Sequence, residues 1–466
     1  MRRRTLVRRQ EHVHPDGVGE AAPELGPVGC RDDDHRSEGG HGARVIVEGM
    51  RHFQRSRPVL SVLLSIPVAA GLLVGSVAPA SAATTIDDTA FGLHVPRISS
   101  GVTPTASYGA IRLWDSGVAW GQVEQRRGTY WWVGLDRAIA AANAQGAEVL
   151  YVLGSTPTWA AKQKKQGTYP NRGAASSPKR LNDWRRWVRA VVLRHGDSID
   201  AYQIWNEANL QTFWQGSPAR MARLTLEATR IIRRLDPTAK IVAASSTVRL
   251  TAAFHRFFPA YLTQLRKRGW PVDVFAIHTY GPSTATPALR AAYVRTTRKA
   301  LRKAHAPARP LWDTEVNYGI KGPGSRYPDK DIGGKKAARY VAQTYLDSIR
   351  LRVARTYWYS WSRKTDLLGV VMAPGTPGAT AYQSVFDWTD RGRVTCRTGK
   401  PNSCRVGKGG VRAEVAWTSA GRARPFVVPA NATRACDPLR VCRAVTPGST
   451  VKVGRMPIWF GPGTPT

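Results

Sequence analysis

The chain has 466 residues, of which 42% are hydrophobic and 9% aromatic, enough to bury one large core and a small second one. This composition is that of a globular protein. Its 69 Lys and Arg residues outnumber its 32 Asp and Glu residues, which gives a formal net charge of +37 at pH 7. Because the basic residues are spread along the whole length, the charge favours a solvated basic surface over a nucleic-acid groove.

The N-terminal part of the chain carries a targeting signal. From Met50 the sequence has an Arg-containing head, an apolar middle and an Ala-Ser-Ala ending, which predicts a secretory signal peptide over 50–82, cleaved after Ala82. A transmembrane anchor is the alternative, but Pro67 and several Gly and Ser residues interrupt the apolar stretch. Residues 1–49 have no apolar periodicity, and we expect them to be a non-translated or unstructured extension. The mature protein is expected to be secreted or associated with the cell wall.

Strands and helices alternate in the next part of the sequence. Short apolar runs, typical of buried strands, recur between longer stretches whose apolar residues are spaced by three or four positions. The runs lie at 91–95, 110–115, 148–154, 201–207, 240–246, 272–280, 309–315 and 355–362. Four of the amphipathic helices between them are predicted at 181–196, 218–236, 286–305 and 334–352.

Eight strands that are apolar nearly throughout suit a parallel sheet covered by helices. We therefore predict an α/β fold, a (β/α)8 TIM barrel over residues 83–390, a length typical of that barrel. A doubly wound open sheet is the alternative, because the pattern alone does not show closure, although no G-x-G-x-x-G motif follows a strand. After residue 390 the helical period disappears. Short β-rich pieces predict a small C-terminal β module over 391–466.

The cysteines favour two disulfides in this module. Cys30 is lost with the N-terminal segment, and Cys396, Cys404, Cys436 and Cys442 remain. Three pairings are open to four cysteines, but the short separations favour Cys396 with Cys404 and Cys436 with Cys442 in an oxidising compartment. A four-thiolate zinc site is the alternative, and the wide spacing within each pair argues against it.

Polar residues stand at the ends of several predicted strands. The run 201–207 ends in Asn206 and Glu207, the sixth run in His278 and Tyr280, and the seventh in Glu315. Because the carboxyl ends of all strands open on one face of a parallel barrel, we expect these side chains to converge there. Two carboxylates beside an amide, an imidazole and a phenol are groups typical of a sugar-processing site.

Cleavage of a glycosidic bond needs one protonated carboxyl group, which protonates the leaving oxygen, and one ionised carboxylate facing the anomeric carbon. Glu207 and Glu315 are the candidates. They should stand ~5 to 5.5 Å apart in a retaining enzyme and roughly 6.5 to 9.5 Å apart in an inverting one. Arg112, in the second strand, would favour the charged form of Glu315, while Glu207 beside that second carboxylate would stay protonated. Tyr280 would add a hydrogen bond to the ionised carboxylate.

Further residues are predicted to bind the sugar. Asn206 would bind a hydroxyl group next to the anomeric carbon. Trp361 and Trp159 offer flat apolar faces on which a pyranose ring can stack. Trp205 has the same chemistry but precedes the polar end of its strand, which favours a place in the core.

Arg112 and His278 can also be interpreted as residues that only stabilise the fold. Arg112 could neutralise Asp313, which a period of two places on the same strand face as Glu315. His278 is open between a satisfied core histidine and a site residue.

At these residues the sequence resembles the retaining glycoside hydrolases of clan A, and family 39 and its relatives most. In that clan the acid/base Glu follows an Asn at the end of strand four, and the nucleophile Glu ends strand seven of a (β/α)8 barrel. The resemblance implies hydrolysis with net retention, without a metal or an organic cofactor. The matching motifs are IRLW (111–114), WNEAN (205–209), HTY (278–280), WDTE (312–315) and YSW (359–361).

The sequence thus predicts a secreted retaining glycosidase that acts on a poly- or oligosaccharide, and its basic surface would suit an anionic one. The alternative is a carbohydrate-binding pseudoenzyme of the same fold. A basic adhesin or nucleic-acid-binding protein is motivated only by the net charge, since no basic cluster with interleaved aromatic residues is present. We expect no nucleic-acid partner and no membrane span after signal cleavage.

Overall fold

The computed structural model describes residues 83–362 and 368–465. The predicted signal peptide and the extension before it lie outside the described residues. Within those residues, no helix has both the length and the apolar character needed to cross a membrane.

Eight parallel strands form the centre of the molecule and confirm the predicted barrel. Their order in the sheet is β6-β5-β4-β3-β2-β9-β8-β7, and each strand is hydrogen-bonded to its neighbours in this order. Parallel bridges Val242–Val274 and Thr247–His278 join β6 to β7 and bring the two ends of the sheet together. The first strand, β1 (Thr84–Thr85), lies outside the barrel, whose strands are β2 (Phe91–Leu93), β3 (Ala110–Leu113), β4 (Glu148–Leu153), β5 (Ala201–Ile204), β6 (Lys240–Val242), β7 (Phe275–His278), β8 (Leu311–Val316) and β9 (Arg355–Trp358).

Helices cover the barrel and begin where the sequence provides N-terminal signals. The fourth helix, for example, has Pro218 in its first turn, and the Ser217 side chain caps it by accepting from the Arg220 amide. Its apolar side is buried and its Arg side is solvated, as the periodicity predicted. The helices are α1 (Trp120–Val123), α2 (Val133–Ala144), α3 (Leu181–His195), α4 (Pro218–Leu235), α5 (Thr251–Arg266), α6 (Pro287–Lys303), α7 (Gly334–Arg350) and α8 (Pro377–Thr389), with short 3₁₀ turns at Asp88–Ala90, Ile98–Ser100 and Gly196–Ser198.

Inside the barrel, small residues surround two large rings. Ala110, Ala201 and Ala276 pack in one buried cluster with Trp312 and Tyr357. Alternation along a strand then places residues two positions further on at the same interior face, nearer the carboxyl ends. The small residues therefore leave the axis free for larger polar side chains above them.

The C-terminal part of the chain is all β, as predicted. Its longer sheet has the order β1-β10-β11-β12-β17-β14-β15, so the two-residue β1 pairs with β10 although some 300 residues separate them. A second sheet pairs β13 with β16. The strands are β10 (Arg393–Arg397), β11 (Asn402–Lys408), β12 (Val411–Trp417), β13 (Arg424–Val427), β14 (Arg434–Cys436), β15 (Cys442–Ala444), β16 (Thr450–Val453) and β17 (Ile458–Gly461).

Both predicted disulfides are confirmed. Cys396 is bonded to Cys404 across the β10–β11 pair, and Cys436 to Cys442 across β14–β15. Each bond therefore joins directly opposite residues of neighbouring strands in a part of the chain with a small core of its own.

Candidate active site

The polar strand ends converge at the mouth of the barrel. Nδ1 of His278 lies 2.9 Å from Oε1 of Glu207 and 3.3 Å from Oε2 of Glu315. One oxygen of each carboxyl group lies within 4.8 Å of the other. Glu207 is 8% exposed and Glu315 5%, so both groups are largely desolvated but still reach the surface. The structure therefore brings the two predicted catalytic carboxylates face to face.

Arg112 organises the floor of this site. It lies two residues after Ala110 on β3, projects into the barrel and is fully buried. Its Nη1 donates to Oε1 of Glu315 at 2.6 Å, and its Nη2 donates to Oδ1 of Asn206 at 2.8 Å. Its Nε donates to Oε1 of Gln203 at 2.6 Å. One guanidinium therefore fixes a carboxylate and an amide from opposite sides of the ring.

The alternative partner of Arg112 is wrong. Asp313 faces outward from β8 and pairs with Arg290 of α6 at 2.7 Å. A shift of register along the β7–β8 pair places His278 opposite Glu315 instead of the residue before it. This bulge breaks the period of two, so that Asp313 and Glu315 do not share a face.

Tyr280 completes the environment of Glu315. Its hydroxyl donates to Oε2 of Glu315 at 2.9 Å, while Arg112 donates to the other oxygen. Charge-assisted donors on both oxygens favour the ionised form. A carboxylate has about four lone-pair positions, so it keeps accepting capacity for a reacting group.

The chain turns sharply where β5 ends. Trp205 and Glu207 have left-handed backbone angles, with φ of 75° and 35°. Such conformations are costly for non-glycine residues and persist where the surroundings enforce them. Here the Trp205 ring packs against Trp184 and Trp214, and the Glu207 amide donates to Oγ of Ser245 at 2.9 Å. The buried indole thus anchors the turn that presents Glu207, and Trp205 is a core residue as predicted.

The two carboxyl groups differ in their electrostatic surroundings. Burial raises the pKa of Glu207 to about 7, against smaller opposing effects of Arg249 and Arg112. Burial also raises the pKa of Glu315, but His278 and then Arg112 act in the opposite direction. We therefore assign the proton to Glu207 and the negative charge to Glu315, which is bonded directly to the guanidinium. Burial acts on both groups, and the direct bond to Arg112 distinguishes Glu315; repulsion from the second carboxylate, predicted for Glu207, is not among the causes that raise its pKa.

His278 is a site residue held in its neutral form. Burial lowers its pKa to about 3, with Arg112 acting in the same direction against the attraction of Glu315. Its Nε2 has no hydrogen-bond partner among the described residues. Leaving Nε2 as an unpaired acceptor costs less free energy than leaving it as an unpaired donor. We therefore assign the proton to Nδ1, which faces both carboxyl groups.

Sequence reasoning missed a second polar cluster at the mouth. Asp115, two residues beyond the end of β3, accepts from the hydroxyls of Tyr169 and Tyr359, both at 2.6 Å. The Tyr359 ring lies edge-on to Tyr280, the donor to Glu315. Asp115 is the last residue of the predicted strand 110–115, and this position at a strand end is the feature of the sequence that could have identified it. Tyr169 comes from a loop with no readable pattern.

The two predicted stacking residues have different surroundings. The Trp361 amide donates to the His94 carbonyl at 2.7 Å, which ties Trp361 to the barrel, and its side chain is buried. The Trp159 indole donates to the Glu124 carbonyl at 2.8 Å and meets the edge of the Trp120 ring. Trp159 thus belongs to an aromatic group beside the barrel, and none of its described bonds reaches the carboxylates. Their sugar-binding roles stay predictions.

Glu207, His278 and Glu315 could also hold a metal ion, since they offer two oxygens and a nitrogen within 4.8 Å of one another. Arg112 already supplies a positive charge to the same carboxylate at 2.6 Å. The Arg112 guanidinium would thus compete with a metal ion for Glu315. That no metal takes part in the reaction stays a prediction.

Comparison with known proteins supports the fold. No protein-family profile and no curated protein matches the sequence. Among solved structures, a family 39 glycoside hydrolase from Bacteroides cellulosilyticus WH2 is similar with a TM-score of 0.58 and 17% identity, over 81% of this chain and 82% of that one. A monomeric β-xylosidase from Caulobacter crescentus CB15 gives 0.58 and 17%, over 82% and 97% of the two chains. A family 39 enzyme from Xanthomonas axonopodis pv. citri gives 0.57 and 19%, over 82% and 95%.

The chain has the fold of these glycoside hydrolases. At this level of identity the likeness concerns architecture alone, over more than four fifths of the chain. It agrees with the resemblance that the strand-end motifs indicated. The roles of individual residues follow from the geometry of the site instead.

Proposed function

We propose that the protein is a retaining glycoside hydrolase that cleaves O-glycosidic bonds in a poly- or oligosaccharide. The observation that carries the proposal is the pair of carboxyl groups, with oxygens within 4.8 Å of each other at the mouth of a barrel. An oxygen–oxygen distance below 4.8 Å supports the ~5 to 5.5 Å carboxyl separation of retaining enzymes over the roughly 6.5 to 9.5 Å of inverting enzymes, which accommodates a water molecule.

The first step forms a covalent bond to the enzyme. An oxygen of Glu315 attacks the anomeric carbon while Glu207 gives its proton to the glycosidic oxygen, and the bond between that carbon and that oxygen breaks. The raised pKa of Glu207 supports its role as the acid. Arg112 and Tyr280 hold Glu315 ionised and aim it, which limits the reorganisation needed at the moment of attack.

The second step releases the sugar. Glu207, now ionised, takes a proton from a water molecule, whose oxygen attacks the anomeric carbon and breaks its bond to Glu315. Two inversions give net retention. In this scheme Asn206, held by Arg112, binds a hydroxyl next to the anomeric carbon, and the Nδ1 proton of His278 lies between the two carboxyl groups.

Secretion and an extracellular polysaccharide substrate belong to the same proposal. They rest on the predicted signal peptide and on the two disulfides, which suit an oxidising compartment. A carbohydrate-binding pseudoenzyme is the second candidate, but a raised pKa on one carboxyl group and a guanidinium on the other are features of catalysis that binding does not require.

The proposal is tested by trapping the intermediate. The protein is incubated with 2,4-dinitrophenyl 2-deoxy-2-fluoro glycosides of xylose, glucose and glucuronic acid, digested and analysed by mass spectrometry. We expect one of them to add a fluorosugar to the peptide that contains Glu315. A label on another residue would contradict the assignment. Release of products with inverted configuration from a glycan panel, followed by NMR, would contradict retention.

A further inference from the structure

A cavity away from the mouth is lined by cations. It measures about 500 Å³, within the range of ordinary ligand sites, roughly 300 to 1,000 Å³. One wall is the first turns of α7, with Lys335, Lys336 and Arg339, and the other comprises loops of the C-terminal β region, including Arg455. We call this cavity the junction groove.

The two walls of the junction groove are held together. In the third turn of α7, the Gln343 amide donates to the Thr418 carbonyl at 3.1 Å and also to the Arg455 carbonyl. The Thr418 amide in turn donates to the Gly454 carbonyl at 2.8 Å. The cavity is therefore formed by bonded backbone on the β side and by a regular helix on the other.

The basic side chains of the junction groove have no acidic partner among the described residues. Within the described residues, no salt bridge involves any of the four basic side chains, and Lys336 and Arg339 lie instead over the Tyr340 ring, at 5.6 and 5.1 Å from its centroid. Burial lowers the pKa of Lys336, and so does repulsion from Lys330 and Arg339. Like charges gathered in this way favour the binding of an anion that relieves their repulsion.

Further basic residues connect the junction groove to the catalytic mouth. The segment from Asn317 to Arg339 follows Glu315 directly and contains six Lys and Arg residues against two Asp residues. Nη1 of Arg249 donates to the Lys321 carbonyl at 2.9 Å, and Arg249 is close enough to Glu207 to lower its pKa. Since each barrel helix begins at the face where the strands end, α7 starts on the catalytic face.

From this continuity we propose that the junction groove binds an anionic polysaccharide and holds the chain beside the catalytic mouth. The assignment to a glycan rests on the proposed function, because the groove opens on the face where a sugar chain would be cut. Lys335, Lys336 and Arg455 contact carboxylate groups along that chain. The binding is electrostatic, so it weakens as salt screens the charges.

The test measures binding of polygalacturonate to the mature chain carrying Glu207→Gln, which slows turnover, at low ionic strength. We expect Lys335→Gln/Lys336→Gln to weaken binding about fivefold or more, and Arg455→Gln, on the opposite wall, about threefold. The matched control is Arg302→Gln/Lys303→Gln, which removes the same charge from exposed residues in the last turn of α6, at the other end of the barrel. The control should change binding less than twofold, and neutral xylan should not respond to the groove substitutions.

Two outcomes would overturn the inference. Equal weakening by the groove and control pairs would show attraction by net charge alone. Equal responses with polyphosphate would show a site for any polyanion, against the assignment to a glycan. Neither outcome bears on the proposed glycosidase activity, because labelling of Glu315 by a fluorosugar is measured separately. Labelling of Glu315 without polysaccharide binding in the junction groove rejects only the groove proposal. Binding in the groove without labelling of Glu315 rejects the glycosidase proposal.

Discussion

Two buried pairs of arginine and carboxylate lie two residues apart on β8 and behave differently. Arg290 and Asp313 lie outside the barrel, both essentially without exposure, and Oδ2 of Asp313 accepts from Nε and Nη2 of Arg290 at 2.9 and 2.7 Å. Arg112 and Glu315 lie inside, and Glu315 reaches the surface and faces a second carboxyl group. The outer pair, Arg290 with Asp313, is therefore fully enclosed by protein, whereas the carboxylate of the inner pair, Glu315, still reaches the surface.

The hydrogen-bond partners of the two pairs distinguish an ion pair that stabilises packing from one that positions a candidate catalytic group. Thr279 donates to Asp313, and Nη2 of Arg290 donates to Oγ of Ser348, so the outer pair is enclosed by helices α6 and α7. The inner pair shares its guanidinium with Asn206 and Gln203, and its carboxylate with Tyr280. An arginine that also orients other site residues is a positioning device, whereas Arg290 and Asp313 bond to buried groups around them and secure packing.

The largest effect is expected from Glu315→Gln. This substitution keeps a hydrogen-bond acceptor for Arg112 but removes the nucleophilic charge, so turnover should fall on the order of 10⁴-fold or more while the fold is retained. Initial rates on a cleavable aryl glycoside measure the loss of turnover, and circular dichroism checks that the fold is retained. Turnover within tenfold of the parent would remove Glu315 from the chemistry.

A smaller loss that depends on the leaving group is expected from Glu207→Gln. Without the proton donor, glycosides with poor leaving groups should react about 10²- to 10⁴-fold more slowly, the usual contribution of a general acid. A dinitrophenyl glycoside needs no protonation and should form the covalent intermediate at nearly the parental rate. Burst kinetics measure that step, and equal losses on both substrates would contradict the acid role.

The outer pair should affect stability instead of activity. Asp313→Asn leaves the buried Arg290 without its counter-charge and should lower the free energy of unfolding by about 3 to 5 kcal/mol. The specific activity of the folded molecules should stay unchanged. Urea unfolding measures the effect, and the exposed pair of Asp136 with Arg194 provides the control, since Asp136→Asn should cost less than about 1 kcal/mol. Similar costs for both substitutions would contradict this distinction.

The pH dependence of activity follows from the proton on Glu207. Because its pKa in the folded protein is raised to about 7, the acid form is lost as pH rises through that value. We expect kcat/KM to fall about tenfold per pH unit above 7. In Glu207→Gln this alkaline limb should be absent, and its persistence there would assign the titration to another group.

The same raised pKa predicts a modest effect on stability. The folded state binds the Glu207 proton more tightly than the unfolded chain does, so this contribution is full below the ordinary value near 4.5 and is lost as pH rises to about 7. Relative to the parent, Glu207→Gln should therefore gain stability between these pH values, by about 1 to 3 kcal/mol. Thermal unfolding at pH 4.5 and 8 measures it, and a constant difference would contradict the shift.

Much of the fold could be predicted from local patterns. Seven of the eight barrel strands lie within the predicted runs and β8 extends one residue beyond its run, the four predicted helices agree to within two residues at each end, and both disulfides form between the expected cysteines. These features depend on periodicity and on short separations along the chain. The pairing of β1 with β10 could not be predicted in this way, because a two-residue strand carries no pattern.

The candidate site was predicted in its main residues but not in its connections. Arg112, Asn206, Glu207, His278 and Glu315 follow from strand ends, because a parallel barrel places all of these ends on one face. Asp115 and its two tyrosines were missed, since one of them comes from a loop between β4 and α3. The bulge in β8 was also missed, and it places Asp313 outside the barrel while Glu315 stays inside.

The sequence by itself determined the elements, their order and the face at which the polar strand ends meet, because hydrophobic period and chain direction are local properties. Only the tertiary structure decided which arginine holds which carboxylate, which carboxyl group lies away from the guanidinium and keeps its proton, and where basic side chains gather around the junction groove. These depend on distances of a few ångströms between residues far apart in the chain, which close packing sets and no local pattern encodes.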